Sequence, residues 1–124
     1  MVSCIVVDDD PDIVDLFCDL LELSNVKILA KGYDGADAIE LYEQFKPNVL
    51  FIDLAMPKYD GRYAIKNIRS LHPNAKIIVL TGDSGKDQQH LLNELKVDFI
   101  LHKPFNMHTI KESITVTLLK SCTQ

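Results

Sequence analysis

A chain of 124 residues, 47% hydrophobic and 25% charged, has the size and make-up of a single water-soluble globular domain that folds around one core without disulfides or a structural metal. A formal charge of −5 and a pI near 5.2 exclude the clustered basic stripe of a nucleic-acid-binding surface and point to protein partners. The longest apolar runs, such as Val49-Leu50-Phe51-Ile52, fall far below the roughly 20 residues that cross a bilayer, and no secretion signal opens the chain, so neither nucleic acid nor membrane is expected as a partner.

The first apolar run, Ser3 to Val7, reads as a strand. It leads into Asp8-Asp9-Asp10-Pro11, where Asp10 can cap a helix with Pro11 at its first position. Ile13, Val14, Leu16, Phe17, Leu20 and Leu21 form the apolar face expected of that helix. A second strand, Val26 to Lys31, sets Val26, Ile28 and Ala30 against Lys27, Leu29 and Lys31, the alternation of an edge strand. Gly32 to Gly35 makes a turn with Asp34 as cap, and Ala38, Leu41, Tyr42 and Phe45 follow at helical spacing before Pro47. Val49 to Ile52 is the third strand, and Ile65, Ile68 and Leu71 mark the helix that ends before His72-Pro73. Ile77 to Leu80 is the fourth strand. The helix after it, near Lys86 to Leu95, is the weakest, with only Leu91, Leu92 and Leu95 apolar. Phe99 to Leu101 is the fifth strand, and a last helix runs from about Met107 to Leu119 with Met107, Ile110, Ile114 and Leu118 inward.

Five strand–helix units in a row predict an α/β fold: a doubly wound five-stranded parallel sheet, (βα)5, with right-handed crossovers, spanning residues 1–124 as one domain. Cys4, Cys18 and Cys122 lack any C-x-x-C spacing and read as reduced thiols, which suits the cytoplasm. His72, His90, His102 and His108 are scattered without ligand spacing.

In such sheets ligands bind beyond the carboxyl ends of the strands. Those ends carry Asp8 and Asp9, then Asp53, then Thr81, then Lys103-Pro104. Carboxylates gathered at one rim repel each other unless a cation joins them. Oxygen-only ligands favour Mg²⁺ or Mn²⁺ over Zn²⁺. A carboxylate beside such a cation can act as a nucleophile towards phosphorus, with Lys103 neutralising phosphoryl oxygens and the Thr81 hydroxyl hydrogen-bonding one of them. Taken singly, each of these residues is more simply a cap, a turn residue or a surface charge, and it is their joint placement that argues for a site. The stretch Gly82 to Lys86 fails the spacing of a phosphate loop, and Asp87 stands where Ser or Thr would follow the lysine.

The stretches Val6-Val7-Asp8-Asp9-Asp10-Pro11-Asp12-Ile13, Phe51-Ile52-Asp53-Leu54-Ala55-Met56-Pro57-Lys58-Tyr59-Asp60-Gly61, Leu80-Thr81-Gly82 and Lys103-Pro104-Phe105 resemble response-regulator receiver domains along essentially the whole chain. The resemblance implies a CheY-like, flavodoxin-like fold with strand order 2-1-3-4-5. It implies that Asp53 is the phosphoacceptor, that Asp8, Asp9 and Asp53 hold Mg²⁺ or Mn²⁺ with the backbone carbonyl of Ala55, and that Thr81 and Lys103 serve the phosphoryl group. A cis bond before Pro104 is implied too. So are a sensor histidine kinase or phosphotransfer protein as donor, a downstream protein target that remains unknown, and a monomer or weak dimer, either stand-alone or excised from a larger regulator. Self-catalysed phosphorylation and dephosphorylation of a switch, rather than enzymatic turnover, is the activity implied. The rival is a phosphohydrolase passing through an aspartyl phosphate, and it is disfavoured because no second acid stands two residues after Asp53.

The chain departs from the family's pattern at Ile100, the switch position where receivers carry Tyr or Phe, and at Lys96-Val97, where a Gly-Ala pair is usual. Phe99 cannot substitute for the missing ring, because neighbouring strand residues face opposite ways. Coupling from Asp53 to the surface of the last two helices and the fifth strand is therefore expected to be weakened or rewired. Gly82 should leave phosphodonors good access. Ala55 and Asp83 occupy positions that tune acyl-phosphate lifetime, and slow to moderate self-dephosphorylation is expected.

Overall fold

The computed structural model describes residues 1–57, 59–82 and 88–120. The elements alternate throughout: β1 (Ser3–Val7), α1 (Pro11–Leu23), β2 (Lys27–Gly32), α2 (Gly35–Phe45), β3 (Val49–Asp53), α3 (Gly61–Leu71), β4 (Ile77–Thr81), α4 (Gln88–Leu95), β5 (Phe99–His102) and α5 (Met107–Lys120). All strand pairings are parallel and the order is β2-β1-β3-β4-β5, as the resemblance implies. The β2 strand is indeed at an edge.

Side-chain alternation along the central strands sorts the core into two layers. Cys4 and Val6, Val49 and Phe51, Ile78 and Leu80, and Leu101 pack with Val14, Phe17, Cys18 and Leu21 of α1 and Ile110 and Ile114 of α5. Their strand neighbours Ile5 and Val7, Leu50 and Ile52, and Ile77 and Val79 pack with Ala38 and Tyr42 of α2, Ala64, Ile65 and Ile68 of α3 and Leu95 of α4. Every residue from Cys4 to Val7 and from Val49 to Ile52 is fully buried. This is why these runs show no polar position: a parallel sheet is covered on both faces.

Aspartates start three of the helices. Asp10 accepts from the Asp12 N–H (3.0 Å), Asp34 from Asp37 (2.8 Å) and Asp60 from Tyr63 (3.0 Å). Asn106 does the same for α5 through the Thr109 N–H at 2.9 Å.

Some expectations from the sequence need correction. The second strand begins at Lys27 rather than Val26, and its simple alternation is broken where the register skips Leu29 between the pairs Cys4–Ile28 and Ile5–Ala30. This bulge turns Leu29 and Ala30 together towards the α2/α3 layer while Ile28 stays with α1. In α1 the buried stripe is Val14, Phe17, Cys18 and Leu21, and Leu16 is 56% exposed. The six-residue apolar face covered too wide an arc to be buried against one sheet. Leu71, at the last turn of α3, is 64% exposed, beyond the reach of the sheet. The α4 helix is described from Gln88, and the start expected near Lys86 lies outside the described residues. Leu95 is buried, whereas the side chains of Leu91 and Leu92, like Cys122 and Asp83, lie outside the described set.

Arg69, near the end of α3, makes a clasp that no sequence pattern suggested. Its guanidinium donates to the carbonyls of Pro73 (3.2 Å), Ala75 and Lys96 (2.6 Å) and to the Asp98 carboxylate (3.2 Å). Asp98 also accepts from the Ile77 N–H at 2.7 Å, and its own N–H donates to the Ile77 carbonyl at 2.8 Å. The clasp fixes the start of β5 against the start of β4, and it grips the carbonyl of Lys96, which lies in the left-handed region at φ 55°.

Candidate phosphoacceptor and metal site

The pairings Val7–Ile52 and Asp53–Leu80 align the carboxyl ends of β1, β3 and β4, so Asp8, Asp53 and Thr81 leave the sheet side by side. Asp8 is fixed by its N–H to the Gly32 carbonyl (3.2 Å) and by the Asp10 N–H on its Oδ1 (3.0 Å). Asp10 thus both caps α1 and orients its neighbour. Gly61 lies directly beneath the acceptor strand: a Cβ there would run into the Asp53 carbonyl and Leu54 Cα, so only glycine lets α3 start this close to the site.

Carboxylate oxygens of Asp8, Asp9 and Asp53 all lie within 4.8 Å of one another. Lys103, at the end of β5, donates from Nζ to Asp8 Oδ2 at 2.8 Å and lies 3.7 Å from Asp53 Oδ1. Its main chain is tied to the same rim by an N–H bond to the Thr81 carbonyl at 2.8 Å. The Lys103–Pro104 bond is cis, as the resemblance implies.

Burial raises the pKa of Asp53, which is 5% exposed, and the Asp8 charge raises it further; Lys103 and the Ala55 N–H pull it back, Asp9 adds a little upward push, and the result is about 6. Asp9 is also held above the ordinary carboxylate range, by loss of water and by the hydrogen bond and charge of Asp8. Partial burial works against the charged form of Lys103. Its hydrogen bond to Asp8 and the charges of Asp53, Asp8 and Asp9 outweigh that and raise its pKa. Burial pushes the Cys4 thiol up, and that of Cys18 to about 11, so both stay protonated and take no part.

The site therefore carries three carboxylates against one ammonium, with two of the acids buried. That donor set fits a hard divalent cation bound through oxygen. Of the residues expected from the sequence, Asp8, Asp9, Asp53 and Lys103 meet in one place, and Thr81 ends β4 one residue beyond the strand partner of Asp53. Ala55 contributes something the sequence did not suggest, since its N–H donates to the Asp53 carboxylate. Ile100 pairs with Val79 and faces the α2/α3 layer while Phe99 faces the α1/α5 layer, so the neighbouring ring does not take its place.

Beside Lys103 opens a groove of about 410 Å³. Ile13, Leu16 and Leu20 of α1 form one wall, and Lys103, Pro104, Phe105 and Gly82 complete it. Among the described residues, no helix is long and apolar enough to cross a membrane.

A family model described as response regulator receiver domain matches residues 4–115. The chemotaxis protein CheY of Thermotoga maritima is 32% identical over 114 residues, which cover 89% of this chain and 92% of that protein. The transcriptional regulatory protein CpxR of Escherichia coli is 31% identical over 121 residues, 98% of this chain but 51% of the regulator. Among solved structures, the response regulator TrrA of Thermotoga maritima, in complex with Mg²⁺-BeF, superposes with a TM-score of 0.84 at 27% identity and covers 94% of this chain and 99% of that one.

Proposed function

Because the chain belongs to the response-regulator receiver family, we propose that it is switched by phosphoryl transfer to Asp53, the donor being a sensor histidine kinase or a phosphotransfer protein in the cytoplasm. The observation that carries this reading is the meeting of Asp8, Asp9 and Asp53 within 4.8 Å with Lys103 Nζ on two of them. Asp8, Asp9 and Asp53 would hold Mg²⁺ or Mn²⁺, joined by the carbonyl of Ala55, and the bound cation would supply positive charge for the carboxylates and incoming phosphoryl oxygens.

An Asp53 carboxylate oxygen attacks phosphorus, the bond to the leaving group breaks, and the leaving group departs with the electron pair. The Ala55 N–H engages the Asp53 carboxylate, which restricts its rotation. Lys103 then exchanges part of its pairing with Asp8 for the phosphoryl oxygens, and the Thr81 hydroxyl donates to one of them. Asp53 must be ionised to attack; in the metal-free site burial and the Asp8 charge raise its pKa to about 6, and a bound cation would favour the ionised form.

Phosphorylation changes affinity for a downstream protein, by a monomer or weak dimer acting alone or as the receiver of a longer regulator. Ile100 is aliphatic and packs against the α2/α3 layer, so the coupling from Asp53 to the α4–β5–α5 face is weakened or rewired relative to receivers with a ring there. Shift changes over that face on binding a phosphoryl analogue, as extensive as in an ordinary receiver, would contradict this. The phosphoacceptor reading itself is tested by intact mass after incubation with acetyl phosphate and Mg²⁺. One phosphoryl group should be gained by the natural protein and none by Asp53→Asn; equal gain by both removes Asp53 from the mechanism.

A further inference from the structure

The N–H groups that open a helix have no partner within it. At the start of α2 the Asp34 carboxylate takes the Asp37 N–H, and the Gly35 N–H leaves the helix altogether to donate to the Tyr59 carbonyl, in the connection between β3 and α3. This bond joins two main chains, and it needs glycine for its closeness rather than for its dihedrals. The φ of Gly35 is not left-handed, but a Cβ built there would overlap the Tyr59 carbonyl and press on that of Asp60. Tyr59 itself is held at φ 44°, a region that side-chain-bearing residues rarely enter.

Two residues later the same connection meets the acid site. Gly61 lies flush against the Asp53 carbonyl and Leu54 Cα, and its N–H donates to the Leu54 carbonyl at 3.1 Å. The start of α2, residues 59–61 and the end of β3 are therefore stacked main chain on main chain, with a glycine at each contact. Such a stack is stiff, because it holds no flexible side chain to absorb a shift. A displacement at Gly35 passes through Tyr59–Gly61 to Asp53, and to Ala55, whose N–H engages the Asp53 carboxylate.

Resting on the reading that Asp8, Asp9 and Asp53 hold a divalent cation with the Ala55 carbonyl, we propose that Gly35 is a positioning residue of that site. By gripping the Tyr59 carbonyl it seats residues 59–61 against the end of β3, and so sets the oxygen ligands of Asp53 and Ala55 before the cation arrives. The Tyr59 ring has no part in this. It stacks on Tyr63 with centroids 5.2 Å apart, and both residues are about half exposed. What matters at position 59 is a carbonyl carried by left-handed backbone.

The test measures Mg²⁺ affinity by calorimetry, on protein that has not been phosphorylated, for the natural chain, Gly35→Ala, Tyr59→Val, the double variant and Tyr59→Asn, with thermal midpoints in chelator to establish that each is folded. Gly35→Ala should bind Mg²⁺ about tenfold more weakly, the scale of loss when a group that orients a metal ligand is disturbed. Tyr59→Val, whose branched side chain resists positive φ, should lose a similar factor, and Tyr59→Asn, which tolerates that backbone, should recover the natural affinity. The double variant should lose little more than the worse single variant, because both changes break one contact. Natural affinity in Tyr59→Val or in folded Gly35→Ala overturns the proposal. So do losses that multiply in the double variant, or a loss in Tyr59→Asn equal to that in Tyr59→Val, which would give the ring the role assigned to the main chain. If Gly35→Ala does not fold, the two Tyr59 variants decide alone. Absence of Mg²⁺ binding by the natural protein removes the cation reading, and the proposal with it.

Discussion

Replacing Asp53 by Asn should make the metal-free protein more stable at neutral pH, and the gain should vanish in acid. The pKa of Asp53 rises from 3.8 to about 6 on folding, so the folded state binds the proton more tightly than the unfolded one. Stability contributed by this carboxyl therefore falls as pH rises from about 4 to about 6, and above that the cost is complete. A shift from 3.8 to about 6 corresponds to about 3 kcal/mol at pH 7.5 and less than about 1 kcal/mol at pH 4. For a domain of this length, 3 kcal/mol is roughly 10 °C in thermal midpoint. Urea unfolding of the natural protein and Asp53→Asn, in chelator-treated buffer at a series of pH values, measures the difference directly. Other titrating groups largely cancel in that subtraction. A difference that does not grow between pH 4 and pH 7.5, or a variant less stable than the natural protein at pH 7.5, would refute the reasoning that burial and Asp8 dominate over Lys103. Mg²⁺ should narrow the gap at pH 7.5, because it stabilises the ionised acid and has less to bind in the variant.

Lys103→Met should lower metal-free stability at pH 7.5, since it leaves the buried Asp8 and Asp53 without their cation and raises the pKa of Asp53 further; acidification should recover part of the loss in urea titrations. Asp98→Ala removes an acceptor from both Arg69 and the Ile77 N–H, and should cost about 2–4 kcal/mol in the same assay, whereas a loss under about 1 kcal/mol would show the clasp to be idle. Ala55→Asn should hasten decay of the phosphorylated protein, because an amide there can orient a water that a methyl group cannot; a slower decay followed by intact mass would contradict the role given to Ala55.

The fold was largely legible because a covered parallel sheet writes itself as unbroken apolar runs, as in Cys4 to Val7 and Val49 to Ile52, and because Asp10-Pro11 and Asp34 punctuate helix starts. The acid site was legible for a related reason: strand ends in such a sheet share one rim, so Asp8, Asp9, Asp53 and Lys103 could be brought together from order alone. The remaining features depend on geometry that residue type does not encode. The bulge at Leu29 is a register event between β1 and β2, invisible within either strand. Leu16 and Leu71 have the same chemistry as buried leucines and differ only in where the helix meets the sheet. The Arg69–Asp98 clasp joins residues 29 positions apart through carbonyls, which every residue possesses.

Among the described residues, two apolar layers that share no buried side chain lie back to back across the sheet. Their energetics should be nearly separable: truncating Phe17 beneath α1 and Ile65 beneath α3 together should cost close to the sum of the single losses, whereas Phe17 with Phe51, rings 5.0 Å apart, should not. One face can thus drift in sequence with little regard for the other, and the strands, bound to both, are left as the slowest part of the molecule to change.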